Sequence, residues 1–469
     1  MLLSHYKKGG IRMKRLLIFV IAALIISSFV CYAAVEQNHH IDWDRVLFEG
    51  EKLGHFVPGN IYADNQNNAV LYSKKTINTL TQHKIYRFNS SKDFDAISKW
   101  DETADYINTD FTSEYRPTSD GGFIRQRQSS KVSMPPSSKK YTMEKSYIDK
   151  IDANMKQLFS ICLQDDLKLP LPGAGPASNI NSWAEVEDGY IFVGTAGGSK
   201  AVKAADAWSS NVWFFKIDLK GKLIWEKVIG SDTSQWLLDI VKAHDNSLIL
   251  VGRSGNQIYL IRIDSNGNIL GEKLLDAGLL VNNPRNSSAK NCISMTNDGG
   301  FVMLTQTVED ASYKSGNITY SRSNVKYQIT KYDYQFKSIW QNEFYGINHI
   351  DYKKYPYEIK IYGIEALSNG DIVAFGQYKP RDKWMMSRFD PNEKYQAYIK
   401  EMDLSGKDAG YNLITSGWDE NYGILDIKEI NGNLLFLGLR YKSSTANDYT
   451  WIGKLKSETA SQTNGESAK

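Results

Sequence analysis

Cysteine, proline and histidine are scarce in this chain, at 3, 11 and 7 of 469 residues. So few cysteines exclude a disulfide-stapled scaffold. The two in the body, Cys162 and Cys292, fall in different repeat units and are expected to be separate buried thiols. Few prolines beside 11 Trp and 28 Tyr argue for packed strands rather than disorder. Beyond the leader the histidines are His39, His40, His55, His83, His244 and His349. They form no His-Glu-x-x-His motif and no closely spaced ligand set, so no zinc site is expected.

An excess of one charge is also lacking. The formal net charge is +3, but Lys7, Lys8, Arg12, Lys14 and Arg15 all lie before an apolar run from Leu16 to Ile26. Without those five cations the charge is −2, and no overall field draws the remainder onto nucleic acid. Basic residues, an apolar core and the small residues around Cys31-Tyr32-Ala33-Ala34 make an export signal. Cleavage near Ala33 or Ala34 is expected. The stretch to Ala34 would be long enough to serve as an anchor if uncut, and lipid modification at Cys31 is a third possibility. The chain then divides into a leader (1–34), a body (35–456) and a polar tail (457–469). An exported protein of the periplasm, cell surface or medium follows.

The body is built on a repeat, seen most clearly from Trp225 to Asp264. One half is a turn followed by an apolar strand, as in Asp245-Asn246-Ser247-Leu248-Ile249-Leu250-Val251-Gly252. It occurs seven times, at Asn67, Asp120, Asp188, Asp245, Asp298, Asn369 and Asn431. The other half is aromatic-x-x-Lys-x-Asp, a tight turn, and a strand with a bulky aromatic, as in Phe214 to Asp218 followed by Trp225. Asp-Gly, Asn-Gly and Gly-Gly turns suit tight hairpins, which demand positive φ. Each unit thus supplies four antiparallel strands, a to d.

Strand b is apolar on both faces, so each sheet must be covered on both sides by its neighbours. Four-stranded sheets stacked face to face around an axis make a β-propeller. The chain ends in strand c of the seventh unit, at Trp451 to Leu455. The strand missing there is found at the other end, where Ile41 to Leu47 resembles Leu223 to Ile229. The expected fold is therefore an all-β, seven-bladed β-propeller of four-stranded antiparallel blades, its ring closed by the N-terminal strand. The pattern Asp-Gly-Gly-[Phe/Tyr]-Ile, aromatic-Lys-x-Asp and Gly-x-x-x-Trp resembles the repeats of secreted bacterial β-propeller proteins. That resemblance implies an exported propeller, mostly without assigned activity, and hands over no functional residue.

Topology narrows the search for a site. The a–b and c–d turns are short and lie at one end of each blade. The b–c links and d–a crossings lie at the other, and many are long, including Gln126 to Ser146, Thr195 to Val212, Thr305 to Lys326 and Gln377 to Ala397. Long loops gathered on one face of a rigid scaffold are where binding usually sits. Their aromatic and cationic residues, Tyr141, Trp208, Tyr313, Tyr320, Arg322, Tyr352, Tyr355, Lys383, Trp384 and Arg388, are of the types that anchor interfaces.

Catalytic motifs are absent. Asp264 to Asn268 lacks the glycine and glutamate of a calcium loop, and Gly252-Arg253-Ser254-Gly255 is no nucleophile elbow. Trp-Asp pairs occur without the Gly-His element of WD40 repeats. The acids Asp165-Asp166 and Asp419-Glu420 cannot be brought together from sequence alone. The expectation is a non-catalytic binding or scaffold module of the cell envelope. It would be a monomer without cofactor, engaging a protein or glycan through the long-loop face. The alternative is a propeller hydrolase or lyase with an axial carboxylate or cofactor site.

Overall fold

A computed structural model describes residues 41–47, 55–77, 80–88, 94–103, 108–133, 140–167, 179–197, 210–230, 233–276, 278–281, 291–315, 318–347, 357–380, 395–414, 421–441 and 448–455. The expected leader and tail lie outside them.

Strand β1 (Ile41–Leu47) stands apart from its neighbours in sequence. Blade 1 is β2 (His55–Ala63), β3 (Ala69–Ile77), β4 (Leu80–Phe88) and β5 (Phe94–Thr103). Blade 2 is β6 (Asn108–Pro117), β7 (Phe123–Ser133), β8 (Lys140–Ile151) and β9 (Gln157–Cys162), followed by a single helical turn, α1 (Leu163–Asp166). Blade 3 is β10 (Asn179–Val186), β11 (Gly189–Gly197), β12 (Ser210–Asp218) and β13 (Leu223–Ile229). Blade 4 is β14 (Gln235–Lys242), β15 (Leu248–Ser254), β16 (Gln257–Ile263) and β17 (Ile269–Leu275).

In blade 5 the innermost strand is broken into β18 (Leu279–Leu280) and β19 (Ile293–Met295), both paired to β20 (Phe301–Ser315). The blade continues with β21 (Ile318–Tyr332) and β22 (Ser338–Ile347). Blade 6 is β23 (Tyr357–Ala366), β24 (Ile372–Pro380), β25 (Gln396–Met402) and β26 (Asp408–Ile414). Blade 7 is β27 (Asn421–Ile430), β28 (Asn433–Tyr441) and β29 (Asp448–Leu455). Its outermost strand is β1, antiparallel to β29 with Arg45 opposite Ile452 and Leu47 opposite Thr450. The ring is thus a seven-bladed β-propeller closed by the N-terminal strand, as the repeat requires. Blades 5 and 6 touch as one sheet through a single pair, Ile347 and Glu358.

The apolar b strands explain the stacking. Leu248 and Leu250 of β15 pack with Ile191, Val193 and Phe214 of blade 3. Ile249 and Val251, on the other face, pack with Phe301 and Met303 of blade 5. Period-two alternation therefore gives each blade two buried faces. Each buried aliphatic side chain contributes roughly 2 kcal/mol. Cys162 and Cys292 are buried thiols of blades 2 and 5, with no disulfide between them.

Two links expected to be loops are strands over much of their length. β7 and β8 carry the ladder out to Ser133 opposite Lys140. β20 and β21 carry theirs out to Ser315 opposite Ile318. Both segments are largely polar in sequence, with no apolar alternation to mark a strand. No helix among the described residues is long and apolar enough to cross a membrane.

Candidate functional site

The repeat motif itself is structural. In five blades the acid of the a–b turn pairs with the cation of strand c: Asp64 with Arg87 at 2.8 Å, Asp120 with Lys150 at 2.8 Å, Asp188 with Lys216 at 2.7 Å, then Asp245 with Arg262 and Asp298 with Lys331. Lys150, Lys216 and Lys331 are buried, so these pairs staple the inner hairpin to the third strand. The aspartate ending strand c is equally local. Asp264 accepts from the Asn266 and Asn268 amides at 2.9 and 2.8 Å, and Asp218 accepts in the same way from Lys220 and Lys222. These are side-chain-capped turns, including the one that superficially suggested calcium. The aromatic of strand d covers the next blade's c–d turn. Trp225 lies against Gly267 and Trp340 against Gly406, and Trp340 Nε1 donates to the Leu404 carbonyl at 2.9 Å.

The loop-face residues are placed unevenly. Trp208, Tyr352, Tyr355, Lys383, Trp384 and Arg388 lie outside the described residues. Tyr141 sits on β8 opposite Val132 in blade 2. Tyr313 and Tyr320 are directly opposite each other, and Arg322 is opposite Ala311, all on the β20–β21 ribbon of blade 5. Three of the ten thus share one element. Along this ribbon the flanking strands stop early. β18 pairs no farther than Leu279 with Gln306, and β22 no farther than Ile347 with Val325. From Glu309 to Asn324 the two strands pair only with each other among the described residues. This doubly stranded stretch is roughly 20 Å long.

A second cluster lies on the axis, and sequence reasoning missed it. The first strands of the blades are innermost. Equivalent positions on them, each opposite an apolar residue of strand b, are Tyr62, Arg116, Ala184, Val241, Ser294, Glu365 and Lys428. All seven are half-buried, whereas their successors or predecessors, such as Ile427 and Ile364, are buried between blades. Alternation therefore turns the seven toward the central channel. Two residues earlier on the same side stand Ser182, Asp239 and Asp426, next to a β-bulge in each of β10, β14 and β27. Gly252 and Gly438 of the repeat make room for those bulges. A Cβ on Gly252 would collide with the Trp236 carbonyl, and one on Gly438 would lie 2.7 Å from the Gly423 carbonyl oxygen.

The axial polar groups link one blade to the next. Ser182 Oγ donates to Asp239 Oδ1 at 2.7 Å. Arg116 donates to the Trp183 carbonyl at 2.5 Å and stacks between Tyr62 and Trp183. The Ala366 amide donates to Ser294 Oγ at 3.0 Å. Lys428 Nζ pairs with Glu365 Oε2 at 2.6 Å. The Ile61 amide of blade 1 donates to Asp426 Oδ2 of blade 7 at 2.8 Å, across the closure of the ring.

Burial dominates the electrostatics. It pushes the Asp426 carboxyl up to about 7, against Lys428 and the Ile61 amide, which favour the charged form. It also raises Glu365, with Lys428 pulling the other way. Burial opposes the Lys428 charge, but Glu365 and Asp426 outweigh it and hold the ammonium above its ordinary range. Asp239, from the far side of the ring, acts in the same direction. Among the described residues no three His, Cys, Asp or Glu side chains converge as metal ligands.

No family model matches the chain, and no curated protein matches it. Solved structures with a similar course include prolyl oligopeptidase B from Galerina marginata bound to a 25mer macrocyclization substrate, at 10% identity and TM-score 0.40. The match covers 86% of this chain and 51% of that one. A luciferin-regenerating enzyme matches at 8% identity and TM-score 0.33, over 89% and 96% of the two chains. Drosophila Plexin A in complex with Semaphorin 1b matches at 9% identity and TM-score 0.30, over 58% and 53%. The chain spans about half the length of the prolyl oligopeptidase it matches.

Proposed function

We propose that this propeller is an exported, non-catalytic binding module of the cell envelope, and that its partner docks on the face carrying the b–c links. The observation behind the reading is the ribbon from Glu309 to Asn324, paired to no third strand among the described residues. A two-stranded ribbon is marginal in water on its own, and edges that pair with no strand among the described residues offer backbone groups to an incoming strand. That chemistry favours a protein partner over a glycan. Tyr313, Tyr320 and Arg322 supply the residue types that anchor such contacts.

The test replaces residues 309–324 with a two-residue Asn-Gly turn and compares capture from the cell-envelope fraction. Loss of a protease-sensitive partner supports the reading. Undiminished capture, or a partner destroyed by periodate but not by protease, contradicts it.

A further inference from the structure

The outer wall of the ring leaves apolar surface open. Single exposed aliphatic side chains are ordinary on a protein surface, but here they are concentrated. Of the nine large hydrophobic residues exposed among the described ones, six lie on the c–d hairpins of two neighbouring blades. Leu219, Ile224 and Val228 belong to blade 3, and Ile269, Leu270 and Leu274 to blade 4; each is 38% to 53% exposed. The two hairpins touch, because Trp225 lies against Gly267 and the Lys227 ammonium donates to the Gly267 carbonyl. Together the six leave roughly 500 Å² of aliphatic surface open, near the upper limit for the largest patch on an ordinary monomer.

A shared string sets these blades apart. β13 reads Ile224-Trp225-Glu226-Lys227-Val228, and β17 reads Leu270-Gly271-Glu272-Lys273-Leu274. The charged groups between the aliphatic ends are tied inward. Glu226 accepts from the Trp213 indole, Glu272 accepts from the Tyr259 hydroxyl, and Lys273 donates to the Phe336 carbonyl. Blade 5 breaks the string, with Glu343 at the position of Val228 and Leu274. At the position of Ile224 and Leu270, a bulge in the outer strand, blades 6 and 7 hold Ala409 and Asp42. The two apolar hairpins also differ in charge. Residues 218–229 carry Lys220, Lys222 and Lys227 against Asp218 and Glu226, a balance of +1. Residues 264–275 carry Lys273 against Asp264 and Glu272, a balance of −1.

We propose that a second copy of this chain docks on this patch, about a two-fold axis that lays the blade 3 hairpin of each copy on the blade 4 hairpin of the other. An isologous contact needs a self-complementary surface, and this arrangement sets +1 against −1 twice, whereas like hairpins facing each other repel. The patch is neutral as a whole and has no field to attract a strongly charged partner. Two copies would cover roughly 1,000 Å², the lower bound for a specific interface. The bulges interrupt the edges of β13 and β17, so side chains rather than a continued ladder make the contact. The dimer takes the place of the monomer expected from the sequence. It leaves the ribbon free, since the c–d turns and the b–c links lie at opposite ends of the blades.

Sedimentation of the full chain over a range of concentrations tests the assignment. The unaltered chain should pass from monomer to dimer. Ile224→Lys or Leu270→Glu alone should raise the dissociation constant about thirtyfold, the loss of one central anchor, with melting unchanged. An equimolar mixture of the two variants should recover the dimer, because one contact then pairs the new charges and the other keeps both native aliphatics. A chain that stays monomeric overturns the proposal, whether phosphatidylcholine vesicles or a different protein cover the patch instead. Variants that dimerise as tightly as the unaltered chain, or that show no recovery when mixed, overturn it too. Shortening the ribbon should leave the dimer unchanged, so this proposal and the reading of the b–c face fail separately.

Discussion

The rim and the axis of this propeller follow opposite rules. At the rim, and through the hairpins that lead to it, the same residue types recur from blade to blade. Asp188 with Lys216 repeats Asp120 with Lys150, and Trp340 over Gly406 repeats Trp225 over Gly267. On the axis, seven equivalent positions hold a tyrosine, an arginine, an alanine, a valine, a serine, a glutamate and a lysine. A position that merely spaces the blades can use one solution throughout. One that meets a ligand or closes the ring is free to differ. Blades 6 and 7 sharpen the contrast: Asn369 and Asn431 replace the turn aspartate there, and the same two blades carry Glu365, Asp426 and Lys428.

Breaking the rim should have the largest effect. Asp188→Ala leaves the Lys216 ammonium buried without its carboxylate and should cost about 3 kcal/mol in urea unfolding. Adding Lys216→Met should recover most of it, since removing both charges removes the penalty. Next comes Trp225→Ala, which uncovers Gly267 of the following blade. Its expected cost is about 2.5 kcal/mol, below the range for a wholly buried tryptophan. The same substitution at a solvated indole would be nearly neutral, so calorimetry tells the two situations apart.

The axis should reveal itself through pH. Burial raises the folded-state value of Asp426 to about 7, above that of an unfolded aspartate near 3.9. The folded state therefore holds the extra proton. The stability linked to it is complete below about pH 4 and is lost as pH rises through 7. Between pH 5 and pH 8 the loss should be about 2.5 kcal/mol, and Asp426→Asn should flatten that part of the curve. A variant that keeps the full slope would place the titration elsewhere. The smallest effect belongs to the ribbon, since its shortening should leave unfolding free energy within about 0.5 kcal/mol.

These rules also explain what the sequence revealed. The turns at Asp245-Asn246 and Asp298-Gly299 are legible because their backbone takes positive φ at Asn246 and Gly299, which few residues tolerate. The closing strand was legible because Ile41 to Leu47 repeats an interior pattern. Glu365 and Lys428 were not, because a half-exposed channel position imposes no residue type and the repeat assigns it no fixed letter. Asp426 gives one faint signal, an acid inside the otherwise apolar run from Ile424 to Ile427. The ribbon reads as a loop in sequence because Thr305 to Lys326 has no apolar alternation, and its ladder of backbone hydrogen bonds leaves no trace in side-chain pattern.

The central claim is that repeated positions build the ring while divergent ones act. The most direct test measures partner binding by the unaltered chain, the ribbon-shortened chain and Asp188→Ala side by side, at a temperature where all three are folded. The account predicts that the staple variant binds as tightly as the unaltered chain and the ribbon variant loses binding. Binding lost in Asp188→Ala but kept without the ribbon would contradict it.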